Sequence, residues 1–280
     1  MTRDAARTRG MPLDLLLVRH GQSEGNVALD AADEGDRRHI TDEFRERNAS
    51  DWRLSKAGRA QAKRAGRWIR EWMAKQAPSG FDRYYCSPYV RTMETAALLG
   101  LPDARWQLEA LVRERDFGLW AAIPKPDIPA EFPLTHEQRE RHKFLWRPES
   151  GESTADLDLR VRDVLASMAR EMAGRQVICV THEDTMRAFR FRLERMTITE
   201  WIQHGEDDLL DVPNCGILHY TRRRTDGTVA NKFDRVRLVD PSGDGGGWKW
   251  RKIQRRNFTN DELLEQVEAI PPLAEAGEGL

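Results

Sequence analysis

Arg19 and His20 stand side by side directly after an apolar run over residues 13–18. Such a run is typical of a buried strand, and Gly21 allows the backbone to turn sharply where the strand ends. In an open α/β sheet, ligands bind just beyond the carboxyl ends of the strands. There, a histidine can attack a phosphoryl group while an arginine holds the phosphoryl oxygens in its planar fork. Taken alone, however, the tripeptide fits a surface Arg-His pair in a loop better than an anion site.

Further segments, in a fixed order, change that interpretation. They are Leu-Val-Arg-His-Gly-Gln-Ser-Glu-Gly-Asn at 17–26, Leu-Ser-Lys-Ala-Gly-Arg-Ala-Gln-Ala at 54–62, Ser-Pro-Tyr-Val-Arg-Thr at 87–92, Arg-Glu-Arg-Asp-Phe-Gly at 113–118, Gly-Glu-Ser at 151–153 and Val-Thr-His at 180–182. Together they resemble the histidine phosphatase superfamily, the phosphoglycerate mutase-like enzymes. The resemblance covers residues 13 to about 222 and is closer to the broad-specificity phosphatase branch than to the mutases.

The resemblance implies a role for each of five polar side chains. His20 is the expected nucleophile, which forms a phosphohistidine that water then hydrolyses. Arg19, Arg91 and His182 are expected to hold the phosphoryl oxygens and to stabilise charge in the transition state. Glu114 is the expected proton donor to the leaving oxygen and the later base for water.

Three further residues near these motifs leave alternatives open. Asp116 is the alternative proton donor, although only Glu114 directly follows an arginine as in the family pattern. Asn26 resembles a phosphate-contacting asparagine of the family, or it serves as a helix cap or turn residue. Glu183 stands where the family commonly has glycine, so it either contacts a substrate hydroxyl or amine or lies in the first turn of a helix.

Composition limits the cofactors and partners. The 45 Lys and Arg nearly balance the 46 Asp and Glu, so bulk charge favours neither a nucleic-acid nor a membrane partner. No His, Asp or Glu cluster has convincing metal spacing, and we expect a site without metal or cofactor that acts on a small-molecule phosphoester. The odd number of cysteines, Cys86, Cys179 and Cys215, fits a reducing cytoplasm, and we expect these thiols to be buried and inert. The oligomeric state is not predicted.

Strand and helix signals alternate through the matched region. Strands are predicted at the first apolar run, at 84–86, at 176–181 and at 217–221. Helices are predicted from Ser55 to about Ala74, from Ser87-Pro88 onward, from Ser153 to about Met172 and from Glu183. This alternation predicts an α/β fold, a three-layer sandwich in which a mostly parallel central sheet has helices on both faces. Gln61 and Ser87 are assigned to packing and capping.

Several segments depart from a minimal enzyme of this kind. Residues 1–12 are predicted to be a flexible leader, and 13–222 the phosphatase domain. The charged segment 28–53 and the proline-rich segment 121–150 are either a substrate cap or ordinary surface loops. Trp52, Trp120 and Trp146 are candidates for the mouth of the site. Residues 223–280 are predicted to form an extension with a Gly-rich link at 242–247 and a helix over 261–269; its basic stretch 249–256 either packs as an amphipathic segment or grips a polyanion.

The sequence thus favours a phosphomonoesterase that acts on a small phosphorylated metabolite. A cofactor-dependent phosphoglycerate mutase is the first alternative, although Gly25 stands where mutases usually carry tryptophan. A catalytically inactive module that binds phosphate or a protein is the second alternative. Retention of all the expected polar side chains disfavours the inactive module.

Overall fold

The computed structural model describes residues 10–204, 212–242 and 249–271. Its strands are β1 (Asp14–Arg19), β2 (Arg83–Cys86), β3 (Trp106–Leu108), β4 (Gln176–Thr181), β5 (Ile217–Thr221), β6 (Arg235–Val239) and β7 (Arg251–Lys252). Its helices are α1 (Glu24–Asp33), α2 (Asp42–Glu46), α3 (Lys56–Gln76), α4 (Val90–Leu98), α5 (Ile128–Glu131), α6 (Pro133–Arg141), α7 (Thr154–Glu171), α8 (Glu183–Glu194), α9 (Ile198–His204) and α10 (Asn260–Glu268). No helix in the described part of the chain is long and apolar enough to cross a membrane.

The strands form one mixed sheet in the order β3-β2-β4-β1-β5-β6-β7. Its core is parallel, since β1 and β2 both pair with β4 in parallel and β3 pairs with β2 in the same sense. Strands β5, β6 and β7 continue the sheet in antiparallel pairs. The carboxyl ends of β1 and β4 therefore lie at the same edge of the sheet.

Hydrophobic packing on both faces of the sheet produces the three layers. Side chains alternate across a strand, so Leu15 and Leu17 of β1 pack in one apolar cluster with residues of α7 and α8. Leu16 and Val18 pack in the other cluster with residues of α3 and α4. All four are fully buried. The predicted α/β three-layer sandwich is confirmed.

The helix starts follow the capping signals with one difference. Ser55 caps α3 by accepting from the Gly58 amide at 3.0 Å, and Ser153 forms a capping box at the start of α7, as predicted. Helix α4, however, begins only at Val90. The reason is that the Ser87 amide still donates to the Val180 carbonyl of β4, so Ser87 continues the sheet instead of opening the helix.

The sheet continues beyond residue 222, where the sequence predicts the end of the domain. Strand β6 pairs with β5, and β7 pairs with β6, so residues after 222 complete the same sheet. In the basic stretch 249–256, Ile253 is buried and Arg255 donates to the Leu193 and Phe233 carbonyls. This packing agrees with the amphipathic interpretation. Helix α10 lies at the predicted position; residues 1–9 of the predicted leader and 243–247 of the Gly-rich link lie outside the described residues.

The two departing segments, 28–53 and 121–150, contact each other. The Arg37 guanidinium makes a two-pronged ion pair with the Asp127 carboxylate. The Lys125 amide donates to Asp33 Oδ1 at 2.9 Å, and its ammonium lies 3.3 Å from Asp33 Oδ2. Regular structure in 121–150 is limited to short pieces, as its prolines predict.

Candidate active site

His20 and His182 meet because they follow neighbouring parallel strands. Arg19 ends β1 beside Thr181, the last residue of β4, so the next residue of each strand emerges at the same edge. The two imidazole centroids lie 5.1 Å apart. Gly21 is required at this turn, since a Cβ there would lie 2.5 Å from the Gly58 carbonyl oxygen at the start of α3.

The His20 ring is fixed in one tautomer. Its Nδ1 lies 2.7 Å from the Gly21 carbonyl oxygen, which only accepts, so Nδ1 carries the proton. Its Nε2 accepts from Arg91 Nε at 3.2 Å. Burial, followed by the nearby charges of Arg91 and Arg19, holds the pKa of His20 well below its usual range. His20 is therefore a neutral imidazole whose Nε2 lone pair faces a cation.

His182 is fully buried behind this histidine. Its Nε2 lies 2.8 Å from Ser87 Oγ, while its Nδ1 has no hydrogen-bond partner among the described residues. Burial and the charge of Arg91 lower the pKa of His182 as well. The assignment of Ser87 to packing and capping missed its contact with His182; no local motif signals this contact, because the two residues are 95 positions apart.

Both predicted arginines lie at the site and are held by backbone carbonyls. Arg19 donates to the Val212 carbonyl at 2.6 Å, and its other terminal nitrogen lies 2.6 Å from Glu183 Oε2. Arg91 donates to the Ala49 carbonyl at 2.6 Å, and its guanidinium carbon lies 4.9 Å from the centroid of the Tyr89 ring. These contacts preorganise the two guanidinium groups.

Glu183 is the first residue of α8 and also lines the site. The first-turn interpretation is confirmed for its backbone. Its carboxylate partly neutralises Arg19, through the contact just described.

The two candidate carboxyl groups have different surroundings. Glu114 is half-buried, and its Oε1 accepts from the Arg115 amide at 3.0 Å. Burial, with the charge of Asp184 adding to it, raises the pKa of Glu114 to about 7, against the opposing effect of Arg91. Asp116 is exposed, and its Oδ1 accepts from the Gly118 amide at 2.8 Å. Glu114 is thus tuned to exchange a proton near neutral pH.

A cavity of about 580 Å³ lies at these groups, and His182 is buried outside its wall. Its walls include Arg19, His20, Asn26, Arg91, Glu114 and Glu183. Arg45, Arg47 and Trp52 from the first departing segment and Ile123 from the second also contribute to the walls. The volume is in the range of small-molecule binding sites.

Asn26 takes part in a helix cap and also lines the cavity. Its Oδ1 accepts from the Ser23 amide at 3.0 Å in a capping box at the start of α1. Because the oxygen is used by the cap, the Nδ2 group remains as a donor on a residue that lines the cavity.

Asn214, which the sequence analysis missed, donates to the His20 carbonyl at 3.2 Å from 194 residues away.

Of the three candidate tryptophans, Trp52 lines the cavity. Its indole fills the space above Gly25, where a Cβ would lie 2.1 Å from Trp52 Cε3. Trp120 and Trp146 instead pack on each other with centroids 4.3 Å apart.

The three thiols are buried, and burial raises the pKa of Cys86 and Cys215 to about 12 and that of Cys179 well above its usual value, as expected for inert cysteines.

Among the described residues, no group of three or more His, Cys, Asp or Glu side chains is placed to hold a metal ion. Positive charge at the cavity comes from its arginines, namely Arg19, Arg45, Arg47, Arg91 and Arg115.

Comparison with known families gives one match that spans most of the chain. The profile described as the histidine phosphatase superfamily (branch 1) matches residues 15–230. A 2,3-bisphosphoglycerate-dependent phosphoglycerate mutase of Methylobacterium radiotolerans is 29% identical over 239 residues, covering 83% of this chain and 98% of that protein. A phosphoglycerate mutase-like protein of Arabidopsis thaliana is 29% identical over 212 residues, covering 68% of this chain and 69% of that protein.

Solved structures agree on the fold. A mycobacterial glucosyl-3-phosphoglycerate phosphatase superposes with a TM-score of 0.56 at 23% identity, covering 78% of this chain and 98% of that chain. A phosphoserine phosphatase of Entamoeba histolytica gives a TM-score of 0.57 at 19% identity, covering 80% of this chain and 96% of that chain. At these identities the likeness is one of fold.

Proposed function

We propose that this chain, which belongs to the histidine phosphatase superfamily (branch 1), hydrolyses phosphate monoesters of small metabolites through a phosphohistidine at His20. The observation that carries this proposal is the hydrogen bonding of the His20 ring. With Nδ1 donating to the Gly21 carbonyl, the lone pair on Nε2 is directed at Arg91 Nε beside the cavity. A neutral imidazole in this tautomer is ready to attack phosphorus.

In the first step, a substrate phosphoryl group takes over the Arg91 Nε–H that His20 now accepts. Arg19, Arg91 and Asn26 then donate to its oxygens. The unpartnered Nδ1 of His182 supplies a further donor when Nε2 accepts from the Ser87 hydroxyl. Such fixed donors stabilise the charge that develops on the oxygens in the transition state.

Glu114 provides the proton for the leaving group. As the His20 Nε2–phosphorus bond forms and the ester bond breaks, the departing oxygen takes the proton from the Glu114 carboxyl. A pKa of about 7 keeps a large fraction of this carboxyl protonated at neutral pH. In the second step the resulting carboxylate takes a proton from water as the water oxygen attacks phosphorus, and the electron pair of the broken N–P bond returns to Nε2.

The two contacting segments, 28–53 and 121–150, act as the substrate cap in this proposal. Both contribute to the cavity walls, and the Arg37–Asp127 ion pair joins them. A cap of this kind limits the substrate to a small molecule and reduces the access of water.

A phosphoglycerate mutase is the second candidate, because curated relatives such as the Methylobacterium radiotolerans protein carry that name. The indole of Trp52 argues for the phosphatase, since it occupies the space above Gly25 that a tryptophan at position 25 would need.

The deciding experiment compares two activities of the full chain. Hydrolysis of p-nitrophenyl phosphate is measured beside the conversion of 3-phosphoglycerate with and without 2,3-bisphosphoglycerate. We expect hydrolysis that is independent of the bisphosphate. Isomerisation that requires the bisphosphate would assign the chain to the mutases, and absence of both activities would assign it to binding modules.

A further inference from the structure

A second cavity, of about 430 Å³, lies at the other end of β1. It is bounded by α3, by the antiparallel strands β5 and β6, and by Trp250 just before β7. Asp14, at the start of β1, lines it, whereas His20 follows the end of that strand. A six-residue strand separates the two by about 20 Å. The second cavity is therefore independent of the proposed catalytic site.

The walls of this cavity carry surplus positive charge. Four cationic side chains line it, namely Lys75, Arg223, Arg235 and Arg237, against the two carboxylates of Asp14 and Glu71. Burial lowers the pKa of His219, the remaining titratable wall residue, so the imidazole is neutral at pH 7. The surplus of two charges matches a dianion.

The Asp14 carboxylate is already engaged. Its Oδ1 accepts from His219 Nε2 at 3.1 Å, and its Oδ2 accepts from Arg223 Nε at 3.2 Å. Glu71, at the exposed rim, is thus the remaining carboxylate of the wall. The interior of the cavity has cations in excess of acids.

Arg237 has few polar partners among the described residues. Its guanidinium carbon lies 4.6 Å from the Trp250 centroid and 5.4 Å from the Trp68 centroid, so two indoles hold it in place. One terminal nitrogen lies 3.4 Å from His219 Nδ1, and its buried Nε has no hydrogen-bond partner among the described residues. Burial lowers the pKa of Arg237. A half-buried charge whose N–H donors lack acceptors is unfavourable, and an anionic ligand would satisfy these donors.

Arg235 presents a second guanidinium on the same face of β6. Its Nε and one terminal nitrogen donate to the Arg223 carbonyl at 3.0 and 2.8 Å, and its guanidinium carbon lies 5.0 Å from the Trp250 centroid. Residues two apart on a strand point to the same side. The two arginines therefore form a fixed pair of forks, the geometry that suits phosphate oxygens.

We propose that this cavity is a second, non-catalytic site that binds a small organic phosphate, with its phosphate on Arg235 and Arg237. A cavity of about 430 Å³ far exceeds the roughly 30 Å³ that a water molecule occupies in the liquid, so it has room for an organic group beside the phosphate. The indoles of Trp68 and Trp250 give that group an apolar surface. Glu71 at the rim can accept from its hydroxyl or amino groups.

Binding stoichiometry of the full chain tests the proposal, with inorganic phosphate and phenylphosphonate as probes. Phenylphosphonate carries a ring and has no ester bond to hydrolyse. Equilibrium dialysis is expected to give two sites per chain for the wild type. Arg237→Gln removes the charged fork and is expected to weaken the second site by at least about tenfold, the scale of a lost charge-assisted hydrogen bond. Arg91→Gln is expected to weaken only the catalytic site.

The matched control is Lys252→Gln, which removes an exposed cation of neighbouring β7. We expect it to keep both sites, and Arg237→Gln to keep wild-type turnover of p-nitrophenyl phosphate and wild-type circular dichroism. Tighter binding of phenylphosphonate than of phosphate at the second site supports the organic ligand. A single wild-type site that Arg237→Gln leaves unchanged, or two sites in Arg237→Gln with unchanged affinity, overturns the proposal. Equal affinity for the two probes overturns its organic part. A chain that binds both probes but hydrolyses no ester would contradict the proposed function and leave the number of binding sites unchanged.

Discussion

Glu114→Gln is expected to stabilise the fold above neutral pH while it slows the proposed chemistry. The pKa of Glu114 rises from an ordinary value of 4.5 to about 7, so the folded protein holds this proton more tightly than the unfolded chain does. For such a group, stability is lost as the pH rises from the unfolded to the folded pKa. The ionised carboxylate is thus a cost to the fold at pH 8, and glutamine removes it.

The size of this effect follows from the shift. At about 1.4 kcal/mol per pKa unit, a shift from 4.5 to about 7 corresponds to about 3–4 kcal/mol, which is an upper limit since Glu114 keeps some contact with solvent. Glutamine retains an oxygen for the Arg115 amide, so no hydrogen bond is lost. Thermal unfolding should show an increase in Tm of up to about 10 °C at pH 8. The increase should be much smaller at pH 5, where the native carboxyl is already protonated.

The same variant separates the proton transfer from binding. Turnover of an alkyl phosphate, whose leaving oxygen needs a proton, should fall by about a hundredfold or more, and that of an aryl phosphate should fall much less in the phosphorylation step. Asp116→Asn, which changes an exposed carboxylate of the same cavity, is the control and should affect both substrates less. A Tm difference that does not grow from pH 5 to pH 8 would refute the burial argument. If Asp116→Asn, and not Glu114→Gln, loses more turnover on the alkyl phosphate than on the aryl phosphate, Asp116 is the proton donor. If neither variant shows this difference between the substrates, Glu183 is the next residue to test.

Three further predictions concern the nucleophile, the charge at the phosphate and the cap. His20→Ala should abolish turnover with unchanged circular dichroism, and rapid quenching of the wild type with a labelled phosphoester should trap an acid-labile, base-stable phosphoenzyme that the variant lacks. EDTA should leave the activity intact and vanadate should inhibit it, because the arginines supply the positive charge and vanadate mimics five-coordinate phosphorus. Asp127→Asn should raise KM up to about fivefold with kcat unchanged, since it weakens the exposed ion pair with Arg37 that joins the cap segments.

Each of these predictions has an outcome that contradicts it. Ordinary turnover in His20→Ala would exclude that residue as the nucleophile. Activity lost in EDTA and restored by magnesium or zinc would overturn the metal-free mechanism. A fall in kcat in Asp127→Asn at constant KM would place the cap in the chemical step instead of in substrate binding; Glu137→Gln, which alters an exposed Arg141 pair elsewhere on the second segment, is the control and should change neither constant.

The sequence predicts those parts of the site that follow from local patterns. The apolar runs of β1 and β4 end directly before His20 and His182, so burial of the strands and adjacency in the sheet bring the two rings together. Side chains that reach the site from distant segments carry no such signal. Asn214 contacts the His20 carbonyl only because the chain returns to β1 through β5, and Ser87 reaches His182 across the β2–β4 pair.

The strands after residue 222 are missed for a related reason. β6 reads Arg-Val-Arg-Leu-Val, and its buried apolar side chains alternate with arginines. On the sequence alone, this segment is predicted to belong to the extension over 223–280. In the fold its arginines point into the second cavity, where Trp250 from beyond the Gly-rich link covers them. The alternating pattern of a strand is present in the sequence. However, Trp250, the residue that packs on the two arginines, lies too far along the chain to be recognised from the strand itself.

A buried histidine lies at each of the two cavities, so a histidine alone does not explain why we assign catalysis to one cavity and binding to the other. Both rings are buried, and burial lowers the pKa of each. At His219, Asp14 accepts from Nε2 and an Arg237 N–H occupies the Nδ1 lone pair. At His20, only a guanidinium N–H occupies the Nε2 lone pair, and a phosphoryl oxygen can accept that N–H in its place. The two cavities differ in their carboxyl groups. Burial raises the pKa of Glu114 to about 7, so this carboxyl can protonate a leaving oxygen at neutral pH. Burial acts in the same direction on Asp14, but the hydrogen bond from His219 and the charge of Arg223 outweigh it and lower the pKa of Asp14, so this carboxylate stays ionised and cannot donate a proton.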